Sequence, residues 1–365
     1  MDIHGETSLR TADHMNLVLK QPYGVCAVII PWNSPLILAV AHIGAAVAAG
    51  NAVILKSSEK APLTCCLLAQ LIKESGLFPP GLVQIVSGMG PTTGAALASH
   101  MEIWKLAFVG SIATGKKIKE MAARSNLKNV TCELGGKSPL IVFDDANLEK
   151  AANDAALSIG YNSGQICSAS SRVYVHKNIR EQFSEAFKVA FQNILSKAGD
   201  PLEPTTTQGP QVDALQFQSI MKFLNDAKAD GLTPSIGGGR LGEKGFFIEP
   251  TIFCDPPEDH AINVREIFGP VVVLHSFTDE AEVLEKANDT EYGLYSSVYT
   301  KDISRALRFA KQLESGTVGI NCTSPTIGFD VPFGGWKQSG EGRQWGRQGL
   351  DGWLETKTVF INLTA

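Results

Sequence analysis

The sequence predicts an α/β fold: a doubly wound parallel-sheet lobe, a second α/β lobe, and a small β arm. Three observations carry that expectation. Short apolar runs alternate with helical stretches over most of the chain, and alternation of this kind places parallel strands beside crossover helices. The rhythm stops at Gly135–Gly136 and then restarts, and 365 residues exceed what one core normally serves. The ends, roughly 1–22 and 353–365, follow neither rhythm and alternate weakly, as arm strands would.

Gly24–Ile30 reads as the first strand. Pro31 ends it, and Pro35 suits the first turn of a helix capped by Asn33 or Ser34. That helix runs to about Ala49, where Gly50 suits its C-terminal turn. Ala52–Lys56 is the next strand, and Pro62–Ser75 is a helix closed by Gly76. Leu82–Val86, Trp104–Val109 and Asn129–Cys132 continue the strand series with helices between them. After the glycine pair, Ser138–Phe143 reads as a strand, Leu148–Ile159 as a helix, Arg172–His176 as a strand and Ile179–Ser196 as a long helix. Val271–Phe277, Glu280–Asn288, Ser304–Leu313 and Thr317–Ile320 repeat the pattern. Sheets of this kind bind ligands at the carboxyl ends of their strands.

Composition narrows the function classes. A net charge of -5 offers no footprint for nucleic acid or an anionic membrane. The most apolar stretch, Gly24–Gly50, is broken by Pro31, Asn33 and Pro35 and reads as strand plus helix, not as a membrane span. The N-terminus is polar without a signal-peptide core. Seven cysteines, an odd number with no CxxC pair, fit a reducing compartment and give no metal-binding pattern.

Several residues carry candidate chemistry. Cys167 lies in Gly164–Ser168 (GQICS), where small polar neighbours suit an accessible thiol; the alternative is a buried structural cysteine. Glu133 follows a strand and precedes Gly135–Gly136, so it is a candidate general base or a solvent-facing strand end. Asn33 is a candidate oxyanion donor together with the Cys167 N–H, or a plain helix cap. Lys56 and Glu59 follow the second strand, where an acid commonly holds ribose hydroxyls; otherwise they form a solvated turn. Gly88–Gly94 and Gly110–Gly115 lead into helix N-termini without the G-x-G-x-x-G spacing. Glu266–Pro270 and Pro332–Gly335 read as tight turns, the first with a candidate ribose-holding carboxylate.

Taken in order, PWN (Pro31–Asn33), LKSSE (Leu55–Glu59), FVGSIATG (Phe108–Gly115), ELGGKSP (Glu133–Pro139), GQICS (Gly164–Ser168), EIFGPV (Glu266–Val271) and PFGGWKQSG (Pro332–Gly340) resemble the aldehyde dehydrogenase superfamily over nearly the whole chain. The resemblance implies NAD(P)-dependent oxidation of an aldehyde to the acid through a thiohemiacetal and a thioester on Cys167. It implies Glu133 as general base and Asn33 with the Cys167 amide as oxyanion hole. Lys56 and Glu59 would bind the adenosine ribose, Ser111 and Gly110 would lie near the pyrophosphate, and Glu266 would hold the nicotinamide ribose. Phe268 would pack near the nicotinamide, with Trp32 and Leu134 completing the cofactor contacts. A carboxylate at Glu59 favours NAD, with NADP also open. The implied domains are a partial arm (1–22), an NAD-binding domain (23–135), a catalytic domain (136–338), a return segment (339–352) and an oligomerisation strand (353–365). A cytoplasmic homo-oligomer, dimer or tetramer, is implied too.

The chain departs from the family in length and at particular residues. It is expected to lack helices that precede the first nucleotide-binding strand in relatives. A non-redox scaffold is the competing reading on that ground, and a cofactor-independent cysteine thioesterase is a third. His42 stands where many relatives carry a lysine, and Gln344 where they carry an acid; His42 is either a proton relay or a space-filling helix residue. Pocket positions Ser34, Ala41 and Ile166 are small, with Ile327 and Phe333 as an opposite wall. An open pocket would admit a bulky or aromatic aldehyde, and PWNSPLIL with LKSSE resembles the vanillin and salicylaldehyde branch.

Overall fold

Residues 3–364 are described by a computed structural model, and they fall into two units. The first takes the chain up to Glu133, Gly328–Phe333 and everything from Gly342 on. The second takes Leu134–Ile327 and Gly334–Glu341.

The first unit begins with β1 (Glu6–Ser8) and β2 (His14–Pro22). There follow β3 (Val25–Ile29), α1 (Pro35–Ala48), β4 (Ala52–Lys56), α2 (Leu63–Ser75), β5 (Val83–Val86), α3 (Ala95–Ser99), β6 (Lys105–Val109), α4 (Ile112–Arg124) and β7 (Asn129–Glu133). Five of these strands run parallel in the order β7-β6-β3-β4-β5. The order reverses beside β3, which is the place where doubly wound sheets take ligands. Register aligns the carboxyl ends: Ile29 pairs with Lys56 and Phe108, and Val109 with Glu133. The central strands are continuous apolar runs because helices cover both faces. Cys26 and Val28 pack with Leu38, Ile43, Val53, Leu55 and Ala107. Ser34, not Asn33, occupies the N-cap of α1, and its side chain makes no cap hydrogen bond.

The second unit holds β8 (Pro139–Val142), α5 (Leu148–Gly160), β9 (Arg172–His176), α6 (Arg180–Leu195), α7 (Ala214–Ala229), β10 (Pro234–Ile236) and β11 (Thr251–Cys254). It continues with α8 (Ala261–Val264), β12 (Val271–Phe277), α9 (Glu280–Asn288), β13 (Tyr295–Tyr299), α10 (Ile303–Gln312) and β14 (Thr317–Ile320). Its sheet runs β10-β11-β12-β9-β8-β13-β14, with β10 antiparallel to β11 and the other pairs parallel. Phe183, Phe187 and Phe191 recur every four residues on α6, so they stack on one face. They pack against Ala151, Ala155 and Ile159 of α5.

The chain then returns to the first unit through α11 (Gly346–Asp351) and β15 (Leu354–Asn362). β15 pairs antiparallel with β2 along its whole length, from Leu354↔Pro22 to Asn362↔His14, and β1 extends that sheet on the other side of β2.

Candidate active site

In the first unit, the candidate residues gather at the carboxyl ends of the parallel strands. Half-buried Trp32 and Asn33 lie in the turn after β3, ahead of Ser34 and α1. Two turns along α1 are Ala41, half-buried, and His42, buried. His42 Nδ1 lies 2.8 Å from the Leu38 carbonyl oxygen, and its ring stands edge-on to Trp353 at 6.4 Å. Burial pushes its pKa below the usual value; the Leu38 hydrogen bond opposes that shift and the Lys105 charge adds to it. The imidazole is therefore neutral and tied to its own helix.

Lys56 ends β4. Its buried Nζ donates to Ser57 O at 2.8 Å and meets Glu59 Oε2 at 3.4 Å. The solvated-turn alternative does not hold for Lys56, whose side chain is only 3% exposed. Gly110 follows β6, and a Cβ there would come 2.6 Å from the Phe108 ring. Ser111 then caps α4 by accepting from the Thr114 N–H. Glu133 ends β7 and is 4% exposed, so its carboxylate is buried and does not face solvent. Phe333 is also in this unit, buried, with its ring 5.2 Å from that of Trp345.

In the second unit, the Gly135–Gly136 turn organises the rest. A Cβ on Gly135 would overlap the Glu266 carboxylate, and one on Gly136 would lie 2.5 Å from the Cys167 carbonyl oxygen. Consecutive glycines thus let Glu266 and the Cys167 loop approach one backbone turn from two sides. Gly136 N–H donates to Glu266 Oε1 at 3.1 Å. Burial pushes the Glu266 carboxyl up to about 7, against the Gly136 hydrogen bond and the Lys137 charge. The same burial brings the Lys137 ammonium down to about 7, while its Nζ donates to Ile262 O at 2.8 Å. Leu134, buried, donates its N–H to Ser339 O at 2.9 Å.

Cys167 is half-buried, as is Ile166 beside it. The approach to Cys167 is left-handed at three consecutive residues, Asn162, Ser163 and Gly164 (φ 48°, 58° and 75°). Gly164 packs backbone to backbone on Gly269, where no side chain fits. That contact joins the GQICS loop to the EIFGP turn. Phe268 in that turn also has positive φ, and Gln216 Nε2 donates to its carbonyl at 2.9 Å. Ile327, half-buried, closes this unit's long segment.

Sequence reasoning passed over three positioning residues. Ser339 Oγ donates to Gly135 O at 2.7 Å and accepts from Gly293 N at 2.9 Å, bracing the turn. Gln216 lies on an unexpected helix. Tyr292 Oη accepts from the Glu266 N–H at 3.4 Å. Ser339 at least lay inside a quoted motif, PFGGWKQSG.

The residues suit a dinucleotide. In the first unit, an acid and a lysine close the second parallel strand, a capped helix N-terminus follows a glycine, and the buried Ser57 hydroxyl has no hydrogen-bond partner among the described residues. In the second, a carboxylate lies against a turn without side chains.

A doubly wound sheet with polar groups at its switch point, accompanied by a cysteine on a constrained loop, fits an α/β enzyme that binds a nucleotide. The model of the aldehyde dehydrogenase family matches residues 1–359. An aldehyde dehydrogenase of Emericella nidulans is 47% identical over 361 residues, covering 99% of this chain and 72% of that protein. The NAD+ complex of an aldehyde dehydrogenase from Bacillus cereus superposes with a TM-score of 0.96 at 43% identity, covering 99% of this chain and 72% of that one. Indole-3-acetaldehyde dehydrogenase of P. syringae, in complex with NAD+ and IAA, superposes at 0.95 with 38% identity, covering 99% and 73%. The chain belongs to the aldehyde dehydrogenase family.

Proposed function

We propose that this protein oxidises an aromatic or otherwise bulky aldehyde to its carboxylic acid, with NAD as the preferred cofactor. The observation that carries the reading is the Gly135–Gly136 turn, which seats the Glu266 carboxylate and the Cys167 carbonyl against adjacent side-chain-free positions. Lys56 and Glu59 would hold the adenosine ribose, Gly110 and Ser111 the pyrophosphate, and Glu266 the nicotinamide ribose. Trp32, Leu134 and Phe268 would wall the ring. When bound, the nicotinamide supplies a two-electron acceptor.

The chain's own residues do the rest. Cys167 gives its proton to Glu133, and the thiolate adds to the aldehyde carbon. Asn33 and the Cys167 N–H stabilise the resulting alkoxide, each donor contributing about 3 kcal/mol in comparable sites. The carbonyl re-forms as the carbon is oxidised, leaving a thioester on Cys167. Glu133, once it has released the thiol proton to solvent, takes a proton from water, whose oxygen adds to the thioester carbonyl and displaces the thiolate, releasing the acid. Ser34, Ala41 and Ile166 leave room for a ring, with Ile327 and Phe333 as walls. Indole-3-acetaldehyde, the substrate in the name of the P. syringae relative, is an aldehyde of that shape. His42, buried and held to the Leu38 carbonyl of its own helix, reads as a space-filling helix residue in preference to a proton relay. We place the protein in the cytoplasm as a homo-oligomer built on the β15 arm.

The test pairs calorimetric NAD binding with aldehyde-dependent NADH absorbance. Expected are NAD binding, faster turnover of benzaldehyde than of acetaldehyde, and loss of turnover in Cys167→Ala. NAD binding without turnover of any aldehyde would overturn the reading, and preference for acetaldehyde would overturn the aromatic part alone.

A further inference from the structure

The Cys167 loop is held on both sides, and the second hold is made of buried hydroxyl groups. Ahead of the cysteine, Gly164 packs backbone to backbone on Gly269. Beyond it, Ser168 Oγ lies 2.7 Å from Ser324 Oγ, and Ser170 Oγ lies 2.7 Å from Thr323 Oγ1. The Ser297 hydroxyl, on β13, donates to the same Thr323 oxygen at 2.7 Å. All of these side chains are buried, Ser168 at 5% exposure and Ser324 at 1%. Ser170 N–H also donates to Ser158 Oγ of α5 at 3.0 Å, which fixes the backbone behind the pair.

The partners of Ser168 and Ser170 arrive on a returning segment. β14 ends at Ile320, and the chain then reverses. Asn321 has a φ of 53°, and a Cβ on Gly319 would come 2.4 Å from the Cys322 carbonyl oxygen. Asn321 exchanges hydrogen bonds with the Thr300 backbone at 2.9 and 3.0 Å, Ser297 reaches Thr323, and Tyr295 Oη donates to Thr326 O at 3.1 Å. Rising numbers on the segment thus meet falling numbers on β13, so residues 321–327 run back toward the amino end of that strand. This return carries Thr323 and Ser324 to the chain that enters β9. Ile327, the proposed pocket wall, follows Ser324 by three residues. Apolar side chains there would fill the space without fixing a direction, whereas paired buried hydroxyls set both distance and angle.

We infer that Ser324, acting through Ser168, is a positioning residue for Cys167: the hydroxyl pair fixes the nucleophile's loop against the 321–327 segment. The inference rests on the proposed function for the role of Cys167. A small misplacement of a reacting atom costs rate and not binding, so the pair should act on kcat.

A double-mutant cycle tests this. With benzaldehyde and saturating NAD, Ser168→Ala, Ser324→Ala and the double variant should each lower kcat about tenfold and leave KM within about twofold, because the same contact is lost in all three. Calorimetric NAD affinity should stay within about twofold. The double variant leaves neither hydroxyl of the pair unpaired, so it provides a folded comparison where a single variant is unstable. An unchanged kcat in Ser324→Ala, or a rise in KM in its place, would overturn the inference. So would losses that multiply to about a hundredfold in the double variant. Amide hydrogen exchange read by mass spectrometry needs no turnover, which separates this inference from the proposed reaction. Ser324→Ala should speed exchange about tenfold in residues 164–170 as well as in its own segment. Faster exchange in both segments supports the coupling even if no aldehyde is oxidised. Faster exchange confined to residues 321–327 would overturn it, while leaving aldehyde oxidation intact.

Discussion

Glu266 carries a charge that its surroundings resist, and the consequence is measurable. An ionised carboxylate accepts from a ribose hydroxyl more strongly than a protonated carboxyl does. With desolvation holding its pKa up to about 7, the group is mostly protonated at pH 6 and mostly ionised at pH 8. NAD affinity should therefore rise about tenfold between pH 6 and pH 8. Glu266→Gln should flatten that profile at the weak end, and Lys137→Met should move its midpoint upward by removing the cation that opposes protonation. A profile unchanged in Glu266→Gln would place the titration elsewhere. The same shift enters stability with a definite sign. The folded-state value lies above the ordinary 4.5, so Glu266 favours the folded state below about 4.5, and that contribution is lost as pH rises through about 7. Of these residues, Glu266 was legible in the sequence by its place before a glycine–proline turn. Lys137 was not singled out, because a lysine after two glycines looks solvated until the fold buries it.

At the scale of elements, the loop before Cys167 is the one most constrained by backbone. Gly164→Ala would hold an L side chain at φ 75° and drive its Cβ into the Gly269 backbone, with Pro270 N at 2.5 Å. Neither backbone can yield cheaply, so we expect a loss of about 2–3 kcal/mol in denaturant unfolding and a fall in kcat. A change below about 0.5 kcal/mol would show that the two loops separate in solution. Which elements the sequence revealed follows from what each buries. β3 is apolar throughout, β4 up to its last residue, and β9 and β12 are built on apolar stretches (Val173–Val175 and Val271–Leu274), so all four were read nearly to the residue. β13 (YSSVY) was missed because two of its buried positions are serines, Ser296 and Ser297, the latter hydrogen-bonded to Thr323 at 2.7 Å. The Ser297 hydroxyl that helps hide the strand finds its partner 26 residues away. α7 was missed although Ile220, Leu224 and Ala227 mark a helical face, since the segments around it are rich in glycine and proline.

Apolar side chains are exposed in several places on the described residues, and two of those places make different predictions. On β15, Phe360 is 65% exposed on a strand already paired along its length with β2. If that sheet carries the homo-oligomer, Phe360→Glu should shift the mass in light scattering toward the monomer; an unchanged mass would locate assembly elsewhere. The second place is α2, where Leu63, Leu67 and Leu71, spaced four apart, are 80%, 56% and 54% exposed. Spacing of four puts them in one stripe along the helix. Leucines already in water contribute little burial energy, about 25 cal/mol for each Å² actually covered, and lysine or glutamate is nearly as good a helix former. Replacing all three with charged residues should therefore keep the unfolding free energy within about 1 kcal/mol and reduce dye binding and aggregation on warming. The opposite result would be as informative. A loss of several kcal/mol would mean that the stripe is covered in solution, because only buried leucines cost that much to replace with charge.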